Sequence, residues 1–326
     1  MTRSPVPPAH RLARSPSAYL RCAAEQEIGW YPWGEDAFRS ARETGRPILL
    51  DIGAAWCHWC HVMDEGTYSD PEVSALVNQL FVPVKVDRDE NPEVDRRYQL
   101  QVNALTGQGG WPLTAFLTPQ GEVFLGGTYF PPEDQGGRPG FRRVLREVAR
   151  LWREERDALK GQAKAVQEGL KGMAAPRDPP AGHDFIHEVA QALQEHFDPT
   201  HGGFGGAPKF PHPMASSFQL YLTHQTGDPA PAEMARLTLT RMAEGGLYDQ
   251  LGGGFHRYSV DEGWHIPHFE KMAVDNGHLL GAYREGFEAL GEPRFREAME
   301  GISTWILSVL DQAPRGGFGA SQDADN

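Results

Sequence analysis

The chain has 326 residues, 40% of them hydrophobic and 23% charged, and its 44 acidic against 31 basic side chains give a formal charge of −13. That balance fits a soluble globular protein and argues against nucleic acid or an anionic membrane surface as a partner, since both reward basic patches. No run approaches the eighteen apolar residues that a membrane span needs, and three cysteines are too few for a disulfide framework.

The length suggests two domains. Residues 1–24 carry Arg3, Arg11, Arg14 and Arg21 and no acid before Glu25. The bias is that of an organellar transit peptide, but Pro5, Pro7, Pro8 and Pro16 would break an amphipathic helix. A loose tail is expected there. The N-terminus has no apolar segment of signal-peptide length, so a reducing, cytoplasmic setting is expected.

Glu35 to Glu43 reads as a short helix stopped by Gly45. Pro47 to Gly53 reads as a buried strand, short, apolar and bounded by Pro and Gly. Directly after it comes Trp56-Cys57-His58-Trp59-Cys60-His61. A C-x-x-C between a strand and a helix is the sequence form of a dithiol redox site. Three other readings compete. C-x-x-C-H is also a c-type haem attachment signature, but that route needs secretion. Zinc needs four ligands, and His58 and His61 are the only nearby additions, with no second C-x-x-C in the chain. Two cysteines can also simply pack as small hydrophobes.

On the dithiol reading, Cys57 sits at a helix N-terminus, where exposed N–H groups and the macrodipole favour thiolate. A protonated His58 would lower its pKa further. Cys57 is then the nucleophile and Cys60 the resolving thiol. Period-two alternation aims Asp51 at the sheet face beneath the pair, where a carboxylate can take the proton of Cys60. Trp56, Trp59 and His61 are candidates for tuning the pair or docking substrate.

A helix is expected over Asp70 to Gln79, with Asp70 as cap and Pro71 in the first turn, then a strand from Phe81 to Asp87. Pro92 to Leu105 is expected to be helical and to contribute polar surface. Gly109-Gly110-Trp111-Pro112 precedes a strand at Leu113 to Leu117, a place that suits a cis bond. A turn and a strand at Glu122 to Phe124 complete a hairpin. One long helix is expected from about Gly140 to Lys171.

This order of elements resembles thioredoxin, and "ILLDIGAAWCHWC" is similar to its strand-to-active-site segment. The resemblance implies a cis Trp111–Pro112 bond facing the cysteines, where extended substrate backbone docks, and gives Asp51 the place of the buried thioredoxin carboxylate. A narrower resemblance runs along almost the whole chain. "WYPWGEDAFRSAR", "CHWCHVM", "VKVDRDENPEVDRRY", "ALTGQGGWPLTAFLTPQGEVFLGGTYFPP" and "GGLYDQLGGGFHRYSVDEGWHIPHFEKM" are similar to the spermatogenesis-associated, thioredoxin-like protein family. The family joins a thioredoxin domain to a six-hairpin, glycosidase-like helical toroid. Departures are Cys22, Asp51 where a serine is common, and Ala273-Val274 in place of the usual Leu-Tyr.

The Pro-rich stretch 174–182 reads as a linker between a thioredoxin-like domain at 25–173 and a helical domain at 183–326. Helices are expected at about His183–Phe197, Pro213–Gln225, Ala230–Glu244, Val274–Leu290 and Pro293–Leu310. Gly-Gly-Phe recurs at Phe204, Phe255 and Phe318, intervals of 51 and 63 residues, which fits one helical hairpin per repeat with the phenylalanine turned inward. Five helices fall short of a twelve-helix ring, so an all-α, partial (α/α) toroid and an apparently C-terminally truncated chain are expected. A half ring leaves helix faces unpartnered. The 183–326 segment alone should therefore be only marginally stable, and a cooperative, high-temperature transition of that segment as a monomer would overturn this.

His256, Asp261, His265, His268 and Glu270 crowd one loop of this half. In related toroids such loops carry acid and base groups for sugar chemistry, so a sugar-like ligand is a candidate partner. These groups can equally hydrogen-bond a crowded core. The expected function is a thioredoxin-type thiol–disulfide oxidoreductase without metal or cofactor. It would act on a disulfide-containing protein or small molecule and be recharged by a dithiol reductant. A carbohydrate-active or ligand-binding toroid and a redox-sensing scaffold are the alternatives.

Overall fold

The computed structural model describes residues 11–173 and 183–325. The chain divides into two units, Met1–Arg177 and Asp178–Asn326, and the expected linker 174–182 lies outside the described residues.

The first unit runs α1 (Ala18–Ala23), β1 (Tyr31–Pro32), α2 (Glu35–Thr44), β2 (Ile48–Gly53), α3 (His58–Val62), a π-helical turn (Met63–Thr67), α4 (Pro71–Leu80), β3 (Val82–Asp87), α5 (Pro92–Thr106), β4 (Leu113–Leu117), β5 (Val123–Gly127), α6 (Phe141–Glu154) and α7 (Arg156–Met173). The sheet order is β1-β3-β2-β4-β5. β1 and β2 flank β3 in parallel, and β4 is antiparallel to both β2 and β5. With a C-x-x-C at the end of its central strand, this is a thioredoxin-like fold.

Every residue of β2 and β3 is buried, as expected for strands covered on both faces. Ile48, Leu50 and Ile52 of β2 share one core with Val82, Val84 and Val86 of β3, Leu113, Ala115 and Leu117 of β4, and Tyr98 and Val102 of α5. Helix α5 thus contributes core as well as the expected polar surface. Alternation along the strand sends Leu49, Asp51 and Gly53 to the other face.

Two expectations need correction. Residues 11–24 are not a loose tail. Leu12, Ser17, Tyr19, Leu20 and Ala23 are buried, Ser17 caps α1 by accepting from Leu20 N, and its hydroxyl donates to Asp87 at 2.6 Å. The prolines that break a long amphipathic helix leave room for this short one. The long helix from Gly140 is also two helices, broken at Glu155 (φ −126°, ψ 28°). Trp152 and Arg156 on either side of the break both donate to Gly45 O, at 3.0 and 2.5 Å. That carbonyl belongs to the left-handed C-cap of α2, where helical N–H donors are absent. The tryptophan and the arginine take their place.

The second unit contains, among the described residues, α8 (His183–His196), α9 (Pro213–Thr226), α10 (Ala230–Glu244), α11 (Ala273–Leu290) and α12 (Pro293–Trp305), close to the expected five. Helices α9 and α10 form one hairpin and α11 and α12 a second; α9 packs on α11 and α10 on α12. Two hairpins stacked layer on layer are the arrangement of a partial (α/α) toroid. Leu239, Met242, Phe255, Trp264, Leu279, Tyr283, Phe295 and Ile302 form its core.

The Gly-Gly-Phe repeat has a structural counterpart. Asp198 N donates to Gly203 O and Gly202 N to Asp198 O; 51 residues later Asp249 N donates to Gly254 O and Gly253 N to Asp249 O. Gly203 and Gly254 have φ of +77° and +75°, and a Cβ on them would meet Trp264 at 2.6 Å and Trp305 at 3.0 Å. Each turn is closed by a buried lysine. Lys209 donates to Asp198 and Lys271 to Asp249, both at 2.6 Å, and their ammonium groups lie 5.1 and 5.6 Å from the rings of Trp264 and Trp305. Phe255 is fully buried, as the repeat implies, whereas Phe318 is 57% exposed.

Burial disfavours ionisation of Asp198 and Asp249, but hydrogen bonds from the lysines and from backbone N–H groups outweigh it and hold both at about 2 against an ordinary 3.8. Because the folded values are depressed, this stabilisation is complete above about pH 4 and is lost as the pH falls through 2. Acidification across that window should strip hydrogen-exchange protection from the 198–305 segment. Protection unchanged from pH 4 to pH 2 would contradict the role given to these pairs.

Candidate redox site

The chain leaves β2 at Gly53 and turns through Ala54-Ala55-Trp56 into α3. Cys57 is the N-cap of that helix in extended conformation (φ −89°, ψ 106°), and its Sγ accepts from Cys60 N at 3.2 Å. The two cysteines form a disulfide, with Cα atoms 5.2 Å apart. Cys57 is 6% exposed and Cys60 1%. Both cysteines are therefore buried, Cys57 slightly less so than Cys60.

The ring around the pair is aromatic and cationic. Trp56 and Trp111 meet edge to face at 5.7 Å, and the Arg88 guanidinium lies over both, 5.5 and 4.7 Å away. Asp89 accepts from the Trp56 indole at 2.8 Å and Asp95 from that of Trp111 at 2.9 Å. The Trp111–Pro112 bond is cis, as the resemblance implied. On the other flank Trp59, 42% exposed, tilts against Tyr129 at 5.0 Å and against His58 at 5.6 Å, with Arg138 near both Trp59 and Tyr129. The His61 ring nitrogen Nε2 lies 2.8 Å from Ala55 O, tying α3 to the loop before it. His58 and Trp59 therefore flank the pair at the surface, and His61 braces the helix.

Beneath the pair lies a charged cluster that sequence reasoning only partly found. Asp51 is fully buried, and the strand register sets it beside Lys85 of β3 and Thr114 of β4. Lys85 Nζ donates to Asp51 Oδ2 and to Asp64 Oδ1, each at 2.7 Å. Tyr19 donates to Asp51 Oδ2 at 3.0 Å and Tyr68 to Oδ1 at 3.1 Å. The ammonium also lies 4.5 Å from the Tyr19 ring and 5.1 Å from those of Trp30 and Tyr68, within cation–π range. Burial opposes its charge, yet the two carboxylates more than offset this and raise its pKa. Asp64 is pushed up by desolvation, with Lys85 opposing. Burial and the Asp51 charge raise both tyrosines well above their ordinary value. A lysine inside a strand and an aspartate in a π-helical turn carry no local sequence signal of such a role. Register and burial bring them together.

In the helical unit the five candidate residues separate into groups. Asp261 accepts from the backbone N–H of Gly263, His265 and Ile266. Although desolvation opposes it, those bonds hold its carboxyl below the usual range. His265 pairs with it at 3.2 Å and is largely exposed. His256 is buried with Nδ1 3.1 Å from Phe269 O, and burial lowers its pKa. His268 stacks on Tyr258 at 4.7 Å, with Nδ1 3.8 Å from Glu270. Glu270 pairs with Arg257 at 3.2 Å, and Arg257 reaches Asp275 at 4.0 Å. Asp275 and His278 line a cavity of about 590 Å³ with His196 and His212; none of these four was singled out by sequence. Among the described residues no helix is long and apolar enough to cross a membrane, and no group of His, Cys, Asp and Glu is placed to hold a metal.

A family model described as "Thioredox_DsbH: Protein of unknown function, DUF255" matches residues 9–171. Human spermatogenesis-associated protein 20 is 40% identical over 326 aligned residues, 97% of this chain and 41% of that protein. The chain spans about two fifths of the length of these curated relatives. Among solved structures, a DsbH oxidoreductase is 19% identical over 37% of this chain and 83% of its own, with a TM-score of 0.30. Cellobiose 2-epimerase from Spirochaeta thermophila is 17% identical over 45% of this chain and 42% of its own, with a TM-score of 0.34.

Replacing Lys85 by methionine leaves Asp51 and Asp64 buried without their cation. Breaking a buried pair in this way costs about 3–5 kcal/mol. The loss should shrink as the pH is lowered and Asp64, whose carboxyl desolvation already pushes up, takes a proton. Denaturant unfolding at pH 7 and pH 5 checks this; a Lys85→Met chain as stable as the parent at pH 7 would contradict the role assigned to the lysine.

Proposed function

We propose that this chain, a member of the family described as "Thioredox_DsbH: Protein of unknown function, DUF255", is a thiol–disulfide oxidoreductase. The observation that carries this reading is the disulfide-forming pair at the start of α3: Cys57 is the N-cap, and Cys60 lies one turn in and is slightly more deeply buried. In the reducing direction the Cys57 thiolate attacks one sulfur of a substrate disulfide. A Cys57–substrate bond forms and the other substrate sulfur leaves as thiolate. Cys60 then attacks the Cys57 sulfur, closing the Cys57–Cys60 disulfide and releasing the second substrate thiol. Two electrons pass to the substrate, and an external dithiol restores the reduced pair.

Asp51 serves as the proton acceptor for Cys60. The paired indoles of Trp56 and Trp111, together with Trp59 and Tyr129, form walls for a polypeptide or small-molecule disulfide; Arg138 adds positive charge, and Arg88 is paired with Asp89 and Asp95. Sugar chemistry in the helical unit draws less support. Asp261 is committed to backbone N–H groups, and Glu270 and Asp275 both lie against Arg257.

Cys57→Ser should reduce dithiol-driven disulfide reduction to background, and Cys60→Ser should halt the reaction at a covalent Cys57–substrate adduct visible by mass spectrometry. Activity retained in the Cys57 variant would sink the proposal.

A further inference from the structure

One residue outside the C-x-x-C segment and outside the sheet is bonded to Asp51 and lies on the Cys60 side of it. Tyr19 of α1 is 3% exposed and donates its phenol to Asp51 Oδ2 at 3.0 Å. Gly53 lies beside both this oxygen and the resolving cysteine: a Cβ built on it would meet Tyr19 Oη at 2.3 Å and Cys60 Sγ at 2.9 Å. The phenol oxygen and the sulfur thus converge on the one space that the glycine leaves open. The remaining approaches to Asp51 are occupied by Tyr68 on Oδ1 and Lys85 on Oδ2.

We propose that Tyr19 is the proton relay between Cys60 and Asp51. The proposal rests on the oxidoreductase reading above and names the path of its proton. As Cys60 attacks the Cys57 sulfur of the mixed disulfide, the Cys60 proton passes to Tyr19 Oη and the phenol proton passes to Asp51. The Cys57–Cys60 bond forms, the Cys57–substrate bond breaks, and the substrate sulfur leaves with the bonding pair. When a dithiol next reduces the pair, Cys60 departs as thiolate and takes a proton back along the same path. The phenol begins and ends each step neutral. Its raised pKa, from burial first and the Asp51 charge second, suits a group that hands on protons without resting as phenolate.

The groups facing Tyr19 are Asp51 from β2, Lys85 from β3, Asp64 and Tyr68 from the π-helical turn and its end, and Cys60 from α3. Anchoring is independent of the relay. Ser17 is fastened to Asp87, and Leu20 and Ala23 are buried, so removing one hydroxyl leaves α1 seated.

The test uses the full chain in a Cys22→Ser background, because Cys22 is an exposed free thiol. The reduced protein is mixed with 5,5′-dithiobis(2-nitrobenzoate), whose first thiolate release reports attack by Cys57 and whose second reports attack by Cys60. In Tyr19→Phe the first phase should stay within about twofold, while the second slows by about tenfold or more at neutral pH. The deficit should vanish at high pH, where Cys60 ionises without help. A second phase unchanged at neutral pH, or both phases slowed alike at every pH, would overturn the relay. A solvent proton inventory of the second phase in the tyrosine-bearing parent decides the matter should the variant fail to fold: two protons in flight give a bowed plot, and a linear plot refutes the relay. If the parent releases no second thiolate, the oxidoreductase reading falls and takes the relay with it. A normal parent with an unimpaired variant defeats the relay alone.

Discussion

The first unit depends on keeping a lysine ammonium charged away from the surface. Lys85 has no exposed surface, and an unpaired charge there would cost several kcal/mol. It is held by two carboxylates and three aromatic rings. Those partners come from different parts of the chain. The β2–β3 register supplies Asp51, the π-helical turn after α3 supplies Asp64, and α1 and the segment before β1 supply Tyr19 and Trp30. Satisfying one cation therefore fixes the relation of the sheet, the N-terminal helix and the turn that follows the cysteines. The redox pair stands on this frame.

The same dependence explains what was legible in the sequence. Strands β2 and β3, the C-x-x-C at a helix start, Asp51 on the face below it and Trp111–Pro112 all follow from local pattern or from a segment whose form is distinctive. Tyr19, Asp64 and Lys85 do not. Lys85 sits in Val-Pro-Val-Lys-Val-Asp, where alternation predicts only a side chain on one face, and its function appears once β2 lies beside it. Tyr19 sits in a proline- and arginine-rich stretch whose composition argues for a tail. Its burial is decided by a long-range contact with Asp51, which outweighs local composition. The break at Glu155 has a similar origin: a carbonyl more than a hundred residues away recruits Trp152 and Arg156.

In the helical unit the periodic Gly-Gly-Phe was legible because it is local. Its purpose was not, because the lysines that close the two turns lie at different offsets from them, Lys209 soon after the first turn and Lys271 well beyond the second. Asp261 makes the opposite point. A dense cluster of histidines and acids reads as chemistry, yet Asp261 spends its lone pairs on three backbone N–H groups of its own loop. Composition alone cannot separate a carboxylate that reacts from one that shapes a turn.

The two units thus use one device for different ends. Lys85, Lys209 and Lys271 are each buried, bonded to an aspartate at 2.6–2.7 Å and set near aromatic rings. Around Lys209 and Lys271 the aspartate's remaining bonds go to backbone N–H groups of its own turn, so the pair locks that turn and, among the described residues, no hydroxyl reaches the carboxylate. Around Lys85 the aspartate's remaining bonds go to two phenols, and one of them borders, with Cys60, the space beside Gly53. On the proposed relay, replacing backbone donors by hydroxyls turns a structural clasp into a site that accepts and returns a proton. The neighbours of the carboxylate, more than the ion pair itself, decide which of the three clusters can take part in chemistry.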